Sequence, residues 1–181
     1  MTTTGATTEV LDGDGFRAAV PELATLLVDA VDSGASVSFL AGLDEPAAGA
    51  WWMAQAPRVE TGELVPVVAR LAGRIVGCVF LVPSTRANSP HRAEIVKMLV
   101  HRAARRQGIA TRLLAAAEAE ALARGRTLLV LDTVSGSPAE RLYRRLGWQE
   151  TGVVPGYALD VDGRPEAAVF LWKALRPASR D

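Results

Sequence analysis

The sequence predicts an α/β domain: a mixed central β-sheet of about six to seven strands with helices on both faces. Three observations carry that expectation. Runs rich in β-branched and apolar residues follow one another between Leu64 and Val100. After them, apolar runs alternate with stretches of helical spacing at Gln107–Arg124 and Ser137–Leu146. Between the two regions lies Lys97–Thr111, KMLVHRAARRQGIAT, which passes from a short apolar run through a basic, glycine-containing turn straight into a helix-forming run.

Taken in order, residues 1–7 are rich in Thr and Ala and are expected to fray. A short strand is expected over Thr8–Leu11. A helix capped by Asp14 should then run to about Asp32 and end at Gly34. Its stripe is Phe16, Val20, Leu23, Leu26, Leu27 and Val31; Pro21 inside it implies a kink or a late start. Glu45-Pro46 opens a second helix over Ala47–Ala56, with the proline in its first turn. Trp51, Trp52 and Met53 are consecutive there, so they cannot all face one core; most should pack, and one is a candidate pocket wall.

Leu64–Ala69 and Gly73–Pro83 read as strands joined by a tight turn, and Ala93–Val100 follows a polar loop. The helix over Gln107–Arg124 carries Ile109, Leu113, Leu114, Ala117 and Ala121 on one face and closes at Gly125. Thr127–Leu131 is almost wholly apolar, as befits a strand covered on both faces. Ser137-Pro138 opens a helix through Leu146, closed by Gly147, and two last strands fall at Trp148–Val154 and Ala167–Trp172. No repeat or linker interrupts this order, so residues 1–181 are expected to form one domain.

Composition narrows the function classes. Twenty basic residues balance twenty acidic ones, so no net charge points to nucleic acid or an anionic membrane. The basic residues are bunched instead, at Arg102, Arg105 and Arg106 and at Arg141, Arg144 and Arg145, which suits a small anionic ligand. One cysteine, Cys78, excludes an intrachain disulfide and reads as a core hydrophobe. The first residues do not form a signal peptide, and no apolar run reaches the roughly 18 residues of a membrane span. A soluble cytoplasmic protein is expected.

The turn Arg105-Arg106-Gln107-Gly108-Ile109-Ala110 is the strongest chemical signal. A helix N-terminus presents unpaired N–H groups and partial positive charge, which together bind phosphate. Gly108 permits close backbone approach and the arginines add full charges. The pattern is neither a Walker loop nor a dinucleotide-binding glycine fingerprint. It is R-x-x-G-x-A, which resembles the Q/R-x-x-G-x-G/A signature of the GNAT acyltransferases. Ser137 to Trp148, SPAERLYRRLGW, looks like that family's run ending in A-x-x-L-Y-x-x-L-G-F. Further runs resemble the tabtoxin-resistance branch of the family: Arg92-Ala93-Glu94, Leu131-Asp132-Thr133, Gly136-Ser137, Pro155-Gly156-Tyr157 and Asp162-Gly163-Arg164. That resemblance spans about residues 91–173, and the N-terminal half matches in element order alone.

The resemblance implies the GNAT fold and transfer of an acetyl group from acetyl-CoA, with no metal, to an amine of a small molecule. The enzyme would be a monomer or a homodimer. It implies that the Met98–Val100 strand, Met98, Leu99 and Val100, pairs with pantetheine through its backbone. It also implies that N–H groups of Arg106, Gly108, Ile109, Ala110 and Thr111, in the turn with Arg105 and Gln107, hold the pyrophosphate. Ser137 is placed near pantetheine or phosphate. An ammonium cannot attack a thioester, so the reaction needs a base for its proton and an acid for the leaving sulfur. Glu94 and Asp132, on strands the fold would set side by side, are the expected base, and Tyr143 the expected acid. The bland alternatives are a strand-end charge at Glu94, a cap at Asp132 and a packing role for Tyr143 in an Ala139, Leu142, Tyr143, Leu146 stripe. Two positions depart from the family pattern: Gly136 replaces a common Asn and Arg102 a common Pro. His101 reads as a surface residue rather than a base. Rival functions are an acceptor on a protein N-terminus, another acyl-CoA donor, or a non-catalytic acyl-CoA-binding module.

Overall fold

The computed structural model describes residues 5–176. The first residues of the expected frayed start lie outside that range, and Thr7 is already in a strand. β1 (Thr7–Val10) pairs antiparallel with β2, and α1 spans Gly13–Asp32. The cap of α1 is Asp12, whose side chain accepts from the Gly15 N–H at 2.8 Å; Asp14 instead lies in the first turn. Pro21 sits in the interior of α1, and the helix runs through it unbroken. A proline there costs about 3 kcal/mol, but Phe16, Leu23, Leu26 and Leu27 are all fully buried. At about 1.5–3 kcal/mol per side chain, their burial outweighs the proline.

α2 (Glu45–Met53) is capped by Asp44 on the Ala47 N–H. The single helix expected here is two, because α3 (Ala56–Glu60) follows. Pro57 has no N–H to donate to the carbonyl of Met53, so α2 ends at Met53 and the chain restarts. The three consecutive bulky residues of α2 take three fates. Trp52 is buried, stacked on Phe80 at 4.8 Å, and its indole N–H donates to Leu23 O at 3.0 Å. Trp51 is half-buried, and Met53 is 44% exposed.

The remaining elements are β2 (Val65–Leu71), β3 (Arg74–Pro83), β4 (Arg92–Val100), α4 (Ile109–Ala123), β5 (Leu128–Val134), α5 (Pro138–Arg145), β6 (Gln149–Leu159) and β7 (Pro165–Ala174). A short 3₁₀ turn at Arg102–Ala104 was not expected from sequence. The seven strands form one sheet in the order β1-β2-β3-β4-β5-β7-β6. α4 and α5 cover one face, burying Leu113, Leu114 and Tyr143 against Val79, Leu81, Ile95 and Leu129. α1, α2 and α3 cover the other, on Cys78, Phe80 and Leu99. Cys78 is fully enclosed and burial pushes its thiol far up, which fits the core role. Among the described residues no helix is long and apolar enough to cross a membrane.

Two irregularities position the site. β4 and β5 are parallel neighbours only over Arg92–Glu94 and Leu128–Val130. Beyond Glu94 and Val130 their pairing stops, so the two strands splay and a gap opens between them. β4 also carries a bulge: Cys78 pairs with Leu99 and Phe80 with Val96, so β4 holds one residue more than β3 across that interval. Lys97 lies in the bulge with a left-handed backbone, φ 50°.

Candidate active site

The gap leaves β4 from Ile95 to Val100 without a strand neighbour on the β5 side, and the basic turn lies at its end. Gly108 is the N-cap of α4, with φ 75° and no side-chain cap on the helix. The first-turn N–H groups are therefore left to a ligand or solvent. Positive φ is the reason for glycine here, since a Cβ would meet nothing within 4 Å. Arg106, also left-handed at φ 63°, and Gln107 are exposed on the same turn. Ala110 is partly covered, Thr111 is exposed, and the Ile109 side chain is buried beneath. These features fit an elongated anion: open backbone along β4 and donors at the helix start.

Arg105 is more engaged than the sequence implied. Its Nε donates to Val100 O at 3.1 Å and its terminal nitrogen to Ser33 Oγ at 2.9 Å. It thus ties the end of β4 to the end of α1 and occupies the Val100 carbonyl. Arg102 has a similar bracing role. Its backbone N–H donates to Asp29 Oδ2 at 2.9 Å, and its guanidinium pairs with Oδ1. Asp29 is only 9% exposed, and His101 Nε2 stands 3.5 Å from its Oδ1. His101 Nδ1 accepts from the Ala103 N–H, so both ring nitrogens face structural partners. The departure from proline at position 102 therefore corresponds to an ionic tether between the turn and α1. Sequence reasoning missed Asp29; an acid within the apolar stripe of α1 was the available signal.

Glu94 and Asp132 do come together. Glu94 pairs with Val130, so Asp132 lies two residues further along the neighbouring strand, on the same face. Both carboxylates are open to solvent at the mouth of the gap, yet enough protein surrounds them to matter electrostatically. Desolvation raises Glu94 above the usual carboxylate range, and the charge of Asp132 pushes the same way. Desolvation also raises Asp132, opposed by a backbone hydrogen bond and by Lys97. Raised proton affinity makes these two like-charged groups better proton acceptors than ordinary carboxylates.

Lys97 was named in the sequence only as the start of the organising stretch. Burial pushes its ammonium down, with Cys78 and Asp132 acting in the opposite direction. Its Nζ donates to Val37 O at 2.9 Å and meets Ser38 Oγ at 3.0 Å. It also lies over the rings of Trp51 and Phe39, at 5.3 and 5.8 Å. Ser38 is itself left-handed at φ 74°, so two strained residues meet at this contact. Lys97→Met is expected to release the segment before α2. A hydrogen bond from a charged donor is worth about 1.5–3 kcal/mol. Amide exchange at Ala41, whose N–H donates to Val161 O, should then accelerate roughly tenfold or more. Unchanged exchange there would show that Lys97 does not hold the segment.

Tyr143, on α5, is 4% exposed and packs edge-on against Trp148 at 5.5 Å. Burial pushes its phenol far up, and the Asp132 charge adds to the effect, so it stays protonated at working pH. The loop before α5 is rigidly built. Gly136 has φ 77°; its N–H donates to Glu140 Oε2 at 2.6 Å, and its carbonyl accepts from Arg141 at 2.8 Å. The Gly136 N–H and then the Arg144 guanidinium hold the Glu140 carboxyl below its usual range. Ser137 Oγ accepts from the Glu140 N–H at 3.1 Å as the cap of α5, which leaves its hydroxyl proton for another partner.

Two cavities of about 280 Å³ each adjoin Glu94. One lies under α2, walled by Trp51, Trp52, Phe80, Val96 and Lys97. The other opens towards the β3–β4 loop, with Arg58, Glu63, Arg86 and Arg92 on its walls. Arg58, Val82 and Glu94 border both. Trp51 and Trp52 thus line one of these two cavities, and Met53 lines neither.

A splayed parallel strand pair, an open helix start and two carboxylates at the mouth of the gap form a site suited to an elongated anionic ligand beside a proton acceptor. Residues 35–148 match the model of the acetyltransferase (GNAT) family, and the chain belongs to that family. Among solved structures it resembles ribosomal-protein-alanine N-acetyltransferase from Brucella melitensis, at 25% identity and TM-score 0.76, covering 93% of this chain and 99% of that one. It also resembles yncA from Salmonella typhimurium, a putative acetyltransferase solved with its cofactor acetyl-CoA, at 19% identity and TM-score 0.76, covering 98% of each chain. Aminoglycoside 6'-acetyltransferase type Ii matches at 19% identity and TM-score 0.69, covering 96% of this chain and 99% of that one. These likenesses agree with the mixed sheet described above.

Proposed function

We propose that the whole chain is one acetyl-CoA-dependent N-acetyltransferase domain that acetylates an amine of a small molecule by direct transfer, in the cytoplasm. The observation that carries this reading is the placement of Glu94 and Asp132 at the point where β4 and β5 part. The two cavities beside Glu94 are of a size for a small acceptor. The residue-level resemblance to the tabtoxin-resistance branch over 91–173 favours the same acceptor class. Acetyl-CoA, when bound, supplies the activated acyl group.

The chain's own groups supply the rest. First-turn N–H groups of Gly108, Ile109, Ala110 and Thr111, with Arg106, hold the pyrophosphate. The β4 edge over Met98–Val100, where Arg105 shares the Val100 carbonyl, takes the pantetheine arm, and Ser137 has a hydroxyl proton for it. Glu94 and Asp132 hold the incoming ammonium and remove its proton, directly or through water. The nitrogen then bonds to the acetyl carbonyl carbon as the carbon–sulfur bond breaks. Tyr143 donates its hydrogen to the departing sulfur, and the second proton lost by the nitrogen restores the phenol through water. The balance is ammonium plus acetyl-CoA giving amide, CoA thiol and one proton.

Two measurements test the reading together: calorimetric binding of acetyl-CoA, and amine-dependent release of CoA with mass detection of the amide. Gly108→Asp should weaken acetyl-CoA binding at least tenfold, about 1.4 kcal/mol. Aspartate tolerates positive φ, so the fold should survive while the added charge repels pyrophosphate. Unchanged affinity in the folded variant would remove the phosphate turn from the account. Binding without any amine-dependent turnover would favour the non-catalytic acyl-CoA-binding alternative. An acceptor on a protein N-terminus is the second reading, favoured by the 25% identity to the ribosomal-protein-alanine enzyme.

A further inference from the structure

We infer that the acceptor carries an anionic group beside its amine, and that Arg58, Arg86 and Arg92 bind it; this rests on the acetyltransferase reading above. The three arginines line one cavity, which Glu94 also lines, together with Glu63. Among the described residues, none of the three closes an ion pair with a carboxylate, unlike Arg70, Arg102 and Arg144. Three guanidiniums face two carboxylates, Glu63 and Glu94, around this cavity, so positive charge is in excess there and the guanidiniums repel one another. An anion within the cavity removes that cost, and guanidinium geometry favours a carboxylate or phosphonate held by paired hydrogen bonds.

The arginines stand on fixed supports. Arg58 is on α3, and its Nη1 donates to Gln55 Oε1 at 3.1 Å. Arg86 and Arg92 flank a cross-braced loop. The hydroxyls of Ser84 and Ser89 meet at 2.8 Å, the Ser84 N–H donates to Arg92 O at 2.9 Å, and the Arg86 N–H donates to Ser84 Oγ at 3.3 Å. Braced backbones at Arg86 and Arg92 limit the freedom these residues lose on binding. The subsite is also separate from the pyrophosphate turn. Arg92 begins β4 and Val100 ends it, so at about 3.3 Å per residue they are roughly 25 Å apart. Its polarity is complementary to a zwitterion: the amine goes to Glu94 and Asp132, the anion to the arginines. Acetylation removes the positive charge of the amine, which weakens its hold on the carboxylates and favours release.

The test compares amines that differ only in the anionic group: amino acids, their carboxamides, and matched aminophosphonates, each with acetyl-CoA. The carboxylate or the phosphonate is expected to exceed the carboxamide at least tenfold in kcat/KM, and whichever is higher identifies the anion. Arg58→Gln and Arg86→Gln should collapse that ratio towards one, mainly through KM. Carboxamides turned over as well as the acids, or a ratio unchanged in the variants, would overturn the inference. Should no amine be turned over, thermal shift reads the subsite directly. Stabilisation by the acid or phosphonate but not the carboxamide, lost in Arg58→Gln and Arg86→Gln, sustains it; equal or absent shifts overturn it. Acetyl-CoA calorimetry reports separately on the transferase reading.

Discussion

Tyr143→Phe is expected to bind acetyl-CoA as the native protein does and to turn over roughly 10²-fold more slowly or worse. That is the usual scale of general acid–base help. The substitution removes one oxygen and leaves the ring, so the 5.5 Å packing against Trp148 and the buried position are retained. Any loss must then come from the hydroxyl. The phenol is pushed up by burial and by Asp132, so it keeps its proton and can give it up in the proposed role. Single-turnover measurement separates chemistry from release. A rate close to native would make Tyr143 a core residue of α5 and nothing more.

The carboxylate pair should show an equally large effect with a distinctive pattern. Glu94→Gln and Asp132→Asn are each expected to lower kcat/KM by about 10²-fold. If the two jointly deprotonate the amine, the double variant should lose less than the product of the singles. The rate should rise with pH through an apparent value belonging to the pair or to the amine. Stability should move the other way. Both carboxylates have folded values raised above their unfolded ones, chiefly by desolvation. The unfolded chain therefore releases these protons first, and the native state loses stability as pH climbs from the ordinary carboxylate range, about 4, towards the raised values. Asp132→Asn removes that cost, so its melting temperature at neutral pH should equal or exceed the native one while its activity falls. A variant that loses both activity and stability would mark Asp132 as a structural charge. Widely different single variants would assign the deprotonation to one carboxylate.

Much of this architecture was legible in the chain because the signals are local. Caps, stripes and apolar runs set the existence and order of the elements, and the turn at Gly108 announces both a positive φ and a helix start. The neighbourhood of Glu94 and Asp132 also followed from the expected strand order. The boundaries shifted where two local signals competed: Asp12 rather than Asp14 caps α1, and Pro57 splits the second helix into α2 and α3.

What only the tertiary structure decided depends on distant segments meeting. Lys97 reads as an ordinary strand residue until the bulge turns it towards Val37 and Ser38, some sixty positions earlier. Asp29 and Arg102 acquire meaning only when α1 lies against the turn, and Arg105 only when its guanidinium meets Val100 and Ser33. Arg58, Arg86 and Arg92 come from a helix, a loop and a strand, and share one cavity through packing alone. The physical reason is the same throughout. Backbone propensity acts over a few residues, whereas the placement of a charge is set by whatever the fold brings within a few ångströms of it.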